Sequence, residues 1–142
     1  DEIYLDPADR RVAEFIGSPR INMIHGEADG EGRVTAHGIH LKRTLGGPHK
    51  SLSVGVRPEH LDVLPSGGDT ESWPFKVSHK ENLGADYYLH GHVNGGGQRV
   101  IARATPELAA YVSLGQQIHV RPKPGKAMAF GADNQRLRFV EA

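Results

Sequence analysis

One break in the sequence limits how this chain can fold. Phe15-Ile16-Gly17-Ser18-Pro19-Arg20-Ile21-Asn22 ends the one convincing helical pattern and opens a long series of short apolar segments. Gly17 can take a positive φ, and Pro19 has no amide hydrogen and drives Ser18 towards extended geometry. A helix does not run through such a stretch, so it reads as a hinge between two kinds of structure. Upstream, Asp6 can cap free amides, Pro7 suits the first helical position and Asp9 favours the positive end of the dipole. Val12, Phe15 and Ile16 share one face at helical spacing, which predicts a helix over about residues 7–16.

Downstream the period changes. Met23-Ile24, Val34, Ile39 and Leu41 sit in short segments, with a hairpin turn expected at Asp29-Gly30-Glu31-Gly32 and a break at Gly46-Gly47-Pro48-His49. Leu52 to Val56 alternates with period two and is ended by Arg57-Pro58. Pro65-Ser66-Gly67-Gly68-Asp69 is the sharpest change of composition, either a long surface loop or a division into two lobes near 65–72. Strands are expected from Phe75, over Tyr87 to Val93 and over Arg99 to Arg103, with a corner at Leu83-Gly84-Ala85-Asp86 and an exposed turn at Asn94-Gly95-Gly96-Gly97. Thr105-Pro106-Glu107 predicts a capped helical turn holding Leu108, followed by strands near Ile118–Arg121, Ala127–Phe130 and Leu137–Val140. Strands at this spacing imply a mainly β protein, a sheet sandwich or small barrel.

Several function classes are excluded by composition. With no cysteine there is no disulfide, thiol nucleophile or Cys-ligated zinc. Lys plus Arg equals Asp plus Glu, 17 against 17, so the basic excess of a nucleic-acid binder is missing. Tyr87, Tyr88, Trp73 and Phe75 are therefore expected to pack rather than stack on bases. Nine histidines raise the question of a metal site, with His37 and His40 or His90 and His92 as the pairs to consider beside Glu81 and Asp86. The spacing fixes no converging set, so no metal site and no catalytic residue is assigned. Arg57-Pro58-Glu59-His60 reads as a structural corner, because no nucleophile or orienting acid completes a catalytic set. Leu83 to Asp86 is open to two readings, a loop lining a small-ligand pocket or a β corner in which Gly84 supplies the unusual φ.

Three segments resemble one family. Tyr4, Pro7, Ala8 and Val12-Ala13, followed by Phe15 to Pro19 and Asn22, are similar to the junction in ATP-binding subunits of carbohydrate-type ABC importers, the maltose and glycerol-3-phosphate transporter group. Gly55-Val56-Arg57-Pro58-Glu59-His60-Leu61 resembles that family's Gly-Ile/Val-Arg-Pro-Glu-His-Leu segment. Glu81-Asn82-Leu83-Gly84-Ala85-Asp86 with Leu89-His90-Gly91 resembles its Glu-x-Leu-Gly-Ala-Asp region. Near the end the family's pattern is kept only at Phe130, Arg136 and Leu137.

The resemblance implies an OB-like (TOBE) β-barrel at residues 21–142, preceded by a helix and hinge at 1–20 that belong to a nucleotide-binding domain. It implies Gly17, Ser18, Pro19, Asn22, Arg57, Pro58, Glu59, Leu83, Gly84 and Asp86 as structural or regulatory motif residues. Gly46-Gly47-Pro48-His49-Lys50-Ser51 ends in Lys-Ser, but His49 stands where a phosphate loop needs glycine. ATP and Mg²⁺ are accordingly expected in an ATPase domain before Asp1, with no cofactor in these residues. The implied role is non-catalytic regulation and dimerisation of an importer's ATPase subunit at the cytoplasmic face of the inner membrane. The implied partners are its own ATPase domain, a second copy of the subunit, the permease through the ATPase, and a regulatory protein or small ligand. The alternative is a stand-alone cytoplasmic module binding a sugar phosphate or oxyanion.

Overall fold

The computed structural model describes residues 8–10, 20–95 and 97–140. Gly17, Ser18, Pro19 and most of the expected helix lie outside them. Asp9, placed by the sequence in the first helical turn, instead forms an antiparallel bridge to Gln135. The described chain is mainly β and OB-like, and it divides into two compact units, residues 1–56 with 127–142 and residues 57–126. The division does not fall near 65–72. That glycine-rich stretch joins two strands of the second unit, where Ser72 Oγ donates to the Asp69 carbonyl (2.9 Å) and accepts from the Asp69 amide (2.9 Å).

The first unit holds β1 (Asn22–Ala28), β2 (Arg33–Ala36), β3 (Ile39–Thr44) and β4 (His49–Val56). β1 to β3 form an antiparallel meander, and β4 pairs with the free side of β1. The turn between β1 and β2 is the one expected at Asp29 to Gly32. There the Asp29 carboxylate accepts from the amides of Glu31 and Arg33, both at 2.9 Å. Alternation puts Ile24, Val34, Ala36, Leu52, Val54 and Val56 inside.

The second unit opens with a 3₁₀ turn (Pro58–His60) and β5 (Leu61–Leu64). It continues with β6 (Trp73–Asn82), β7 (Tyr87–Val93), β8 (Gln98–Ala104), helix α1 (Pro106–Ala110) and β9 (Gln117–Pro122). β6 to β8 form a second meander, β9 pairs with the free side of β6, and β5 pairs with β9. The two edges, β5 and β8, come into contact, as closure into a small barrel requires. Thr105 caps α1 as expected, its hydroxyl accepting from the Leu108 amide at 3.2 Å. Trp73 and Phe75 are fully buried with Val77, Leu89, Ile118 and Val120, which places them in the core.

The chain then returns to the first unit. β10 (Met128–Gly131) pairs with β4, and β11 (Arg136–Leu137) pairs with β10. Beyond β11, the Val140 amide donates to the Thr44 carbonyl at the end of β3 (2.7 Å), so this sheet also reaches its far edge. Both units follow one plan: a meander, a fourth strand beside the first, and a fifth beside the fourth. In each unit the fifth strand is the first one that the chain makes after crossing from the other unit. The sequences agree. Val56-Arg57-Pro58 ends β4 and Val120-Arg121-Pro122 ends β9, and in each case the valine pairs with the first residue of the meander's first strand, Asn22 of β1 or Trp73 of β6.

Two glycines test this packing in opposite directions. At Gly91 a Cβ would overlap the Lys76 carbonyl oxygen and lie 2.8 Å from the Phe75 ring, whereas at Gly30 it would meet nothing within 4 Å. Gly91→Ala is expected to lower stability by about 2–3 kcal/mol. Gly30→Ala, in a turn of ordinary φ, is expected to raise it by about 0.4–1 kcal/mol. Urea unfolding midpoints measure both, and equal effects would disprove the assigned packing.

Candidate functional site

The motif residues collect at a few backbone corners. In the first unit, Asn22 is buried and its Nδ2 donates to the Val56 carbonyl at 3.0 Å. A buried amide needs such a partner. Its effect is to hold the backbone just before Arg57.

In the second unit, Arg57 caps the 3₁₀ turn with extended geometry, and Pro58 follows at the first position, where a missing N–H costs nothing. The His60 amide donates back to the Arg57 carbonyl at 2.9 Å. Arg57 is 1% exposed, unusual for an arginine outside a pair or network. Burial lowers the His60 pKa below its ordinary value, and the cations Lys126, Arg57 and Lys123 act in the same direction against Glu59.

Leu83 to Asp86 forms the corner between β6 and β7. The Leu83 amide donates to the Asp86 carbonyl (2.8 Å), the Gly84 amide donates to Asn82 Oδ1 (2.8 Å), and Gly84 has φ +95°. Asp86 Oδ2 accepts from Arg103 Nε (2.9 Å) and Nη2 (2.7 Å). Arg103 lies on β8 opposite Tyr88 of β7. Its pKa is raised, chiefly by the Asp86 hydrogen bond, with Tyr88 and Glu59 adding attraction. Arg103 therefore ties β8 to the Asp86 corner. Sequence reasoning read Arg103 only as the end of a strand. The available signal was alternation: Val100, Ala102 and Ala104 point inward, so Arg103 points out beside the Asp86 corner.

A second charged group lies where β5 meets β9. Asp62 accepts from Lys123 Nζ (2.6 Å) and Arg121 Nη2 (3.4 Å), and Arg121 Nη1 also reaches Asp69 (2.6 Å). The hydrogen bond from Lys123 is the main reason that the Asp62 pKa lies below its ordinary value. His90 and His92 share the outer face of β7, as their spacing predicts. His40 Nδ1 lies 2.9 Å from Thr35 Oγ1, and His90 Nε2 lies 2.9 Å from Glu81, with the His79 ring 5.4 Å away. Among the described residues, no three His, Asp or Glu side chains group to hold a metal ion. These corners brace strands and leave charged side chains at the surface, an arrangement suited to binding.

The TOBE domain profile matches residues 54–130, from the end of β4 through β10. The chain belongs to the TOBE domain family. It is 35% identical to the sn-glycerol-3-phosphate import ATP-binding protein UgpC of Chromobacterium violaceum, aligning over 100% of this chain and 35% of that protein. It is 33% identical to the diacetylchitobiose uptake system ATP-binding protein MsiK of Streptomyces coelicolor, over 92% of this chain and 39% of that protein. The chain thus spans little more than a third of the length of these ABC importer subunits. Its fold is similar to that of the cytoplasmic molybdate-binding protein ModG in a molybdate-bound crystal form, with a TM-score of 0.57 and 13% identity over 76% of this chain and 94% of that one.

The β5–β9 ion pairs predict a pH response. Asp62 has its folded-state pKa below the unfolded value of about 3.9, so its contribution is present above that value and is lost as pH falls through the folded pKa. Asp62→Asn is expected to flatten the acid limb of stability between about pH 5 and pH 2. Urea midpoints across that range check this, and an unchanged slope would show that the pairing adds nothing.

Proposed function

We propose that these residues form the non-catalytic regulatory and dimerisation domain of the ATP-binding subunit of an ABC importer for sugars or glycerol-3-phosphate-like solutes. The observation that carries this reading is the alignment of the whole chain with roughly a third of an import ATP-binding protein. ATP and Mg²⁺ belong in this reading to an ATPase domain of the same polypeptide, which docks on the permease at the cytoplasmic face of the inner membrane. Gly17, Ser18 and Pro19 would form the hinge to that domain. Asn22 and the Arg57-Pro58-Glu59 corner would fix the backbone that leads away from it.

The mechanism is mechanical. ATPase halves separate during a transport cycle, and a domain that pairs with its own twin keeps the two subunits joined meanwhile. Such a two-fold contact uses the same patch on both copies. Barrels whose fifth strands are set only after the chain has crossed between units suit that task. The first unit's sheet is completed only by a strand that returns after the whole second unit, so its closure ties the two ends of the chain together. The Leu83-Gly84-Ala85-Asp86 corner, held by Arg103, would be one surface on which a regulatory protein or ligand acts.

Two measurements test the proposal. The cellular protein recognised by an antibody to these residues is expected near 44 kDa, from 15.4 kDa divided by the 35% share. That polypeptide is expected to sediment as a dimer without nucleotide, and deletion of residues 21–142 to leave monomers. A cellular mass of 15.4 kDa, or a dimer that survives the deletion, would overturn it.

A further inference from the structure

The outer face of the second sheet carries a row of cations and donors that nothing above employs. β9, β6, β7 and β8 lie side by side, and the register sets Gln117 opposite Lys76, Lys76 opposite His92, and His92 opposite Arg99. Their chain neighbours Ile118, Phe75, Val77, Val93 and Val100 are buried, so the four side chains share the solvent face. At about 4.8 Å between strands the row is roughly 14 Å long.

The row departs from the charge pattern of the rest of this sheet. Elsewhere on the sheet several basic groups meet carboxylates, as in Glu81–His90, Asp86–Arg103 and Asp62–Lys123, and Lys80 donates to the carbonyls of Ala109 and Val112. Lys76 and Arg99 flank His92 with no carboxylate paired to any of the three in the register. Among the described residues, no hydrogen bond or ion pair engages the side chains of Lys76, His92, Arg99 or Gln117.

The row also lies beside a cleft. β6 is irregular between Val77 and His79. There the Gly115 amide donates to the Val77 carbonyl (2.7 Å) and the Val77 amide to the Gln116 carbonyl (3.1 Å). Beside this irregularity is a cleft of about 570 Å³, walled by Lys76, Ser78, His92, Gly95, Gly115 and Gln117. That volume falls within the range of small-molecule sites, about 300–1,000 Å³. At the rim, a Cβ on Gly95 or Gly115 would have no neighbour within 4 Å, so the entrance is open.

We infer that this cleft binds a small phosphate-bearing solute, with Lys76, Gln117 and His92 lining the pocket and Arg99 at the end of the row. The lysine ammonium supplies a point charge with three donors, the glutamine amide two more, and the guanidinium a fork that matches two phosphate oxygens. A group carrying two negative charges and several acceptors satisfies this set, whereas a neutral sugar leaves the cations uncompensated. The inference stands apart from the dimerisation reading, because it concerns a ligand on one chain and not a pair of chains.

An amide NMR titration of the 142-residue chain tests it, with inorganic phosphate and glycerol phosphate in parallel and chloride at matched ionic strength. Saturable shifts centred on Lys76, His92 and Gln117 are expected, with no such response to chloride. Tighter binding of the ester would identify an esterified solute, and tighter binding of the inorganic ion would identify free phosphate. Lys76→Gln and Arg99→Gln, each keeping the native amide spectrum, should weaken binding about tenfold, and Lys50→Gln on β4 should leave it unchanged. Shifts that fail to saturate, that chloride reproduces, or that survive both substitutions would overturn the assignment.

Discussion

The pairing of β10 with β4 is the contact on which the first unit depends. Met128 to Gly131 bind Gly55 to Leu52, residues separated in the chain by the whole second unit. The contact is close because Gly55 has no side chain. A Cβ there would lie 3.1 Å from both Phe130 and Ile21, in the cluster formed by Ile21, Met128 and Phe130. Closing so long a loop costs entropy before any contact repays it, so this sheet is expected to finish late in folding. The second unit has all its strands in one run, and no comparable delay applies to it.

The fifth-strand arrangement explains why the motif residues sit where they do. A chain leaving β4 must turn at once and start a strand of another sheet. Arg57, Pro58 and the 3₁₀ turn make that connection, and Asn22 holds the end of β4 through Val56. β8 runs beside the 3₁₀ turn, and its Arg103 pairs with Asp86 at the β6–β7 corner. The motif residues described by the structure are thus mostly backbone devices, and the charges among them hold those devices in register.

Much of the architecture was legible in the sequence. The turn at Asp29, the β6–β7 corner with a positive φ at Gly84 and the Thr105 cap follow from local chemistry, and all are present. So are the alternating strands and the buried Trp73 and Phe75. The division into units was not legible at 65–72, because glycine and proline mark a turn equally well within a sheet or between domains. The repeated Val-Arg-Pro is a sequence signal for two similar units, but three residues are too short a repeat to stand out from chance. Arg103 and the Lys76 row could not be seen as sites, since cross-strand neighbours are set by register and not by sequence distance.

The sequence by itself determined the fold class and the exclusions. Short alternating segments between glycine-rich turns can bury their apolar faces only by forming sheets, and equal charge with no cysteine removes whole classes of chemistry. Its motifs also led to the TOBE family. Only the tertiary structure decided which strands close which barrel, that Arg103 pairs with Asp86, and that Lys76, His92, Arg99 and Gln117 form one row. The physical reason is the same in each case. Backbone hydrogen bonds between strands carry no residue code, so pairing and register follow from which apolar faces pack together across the whole chain.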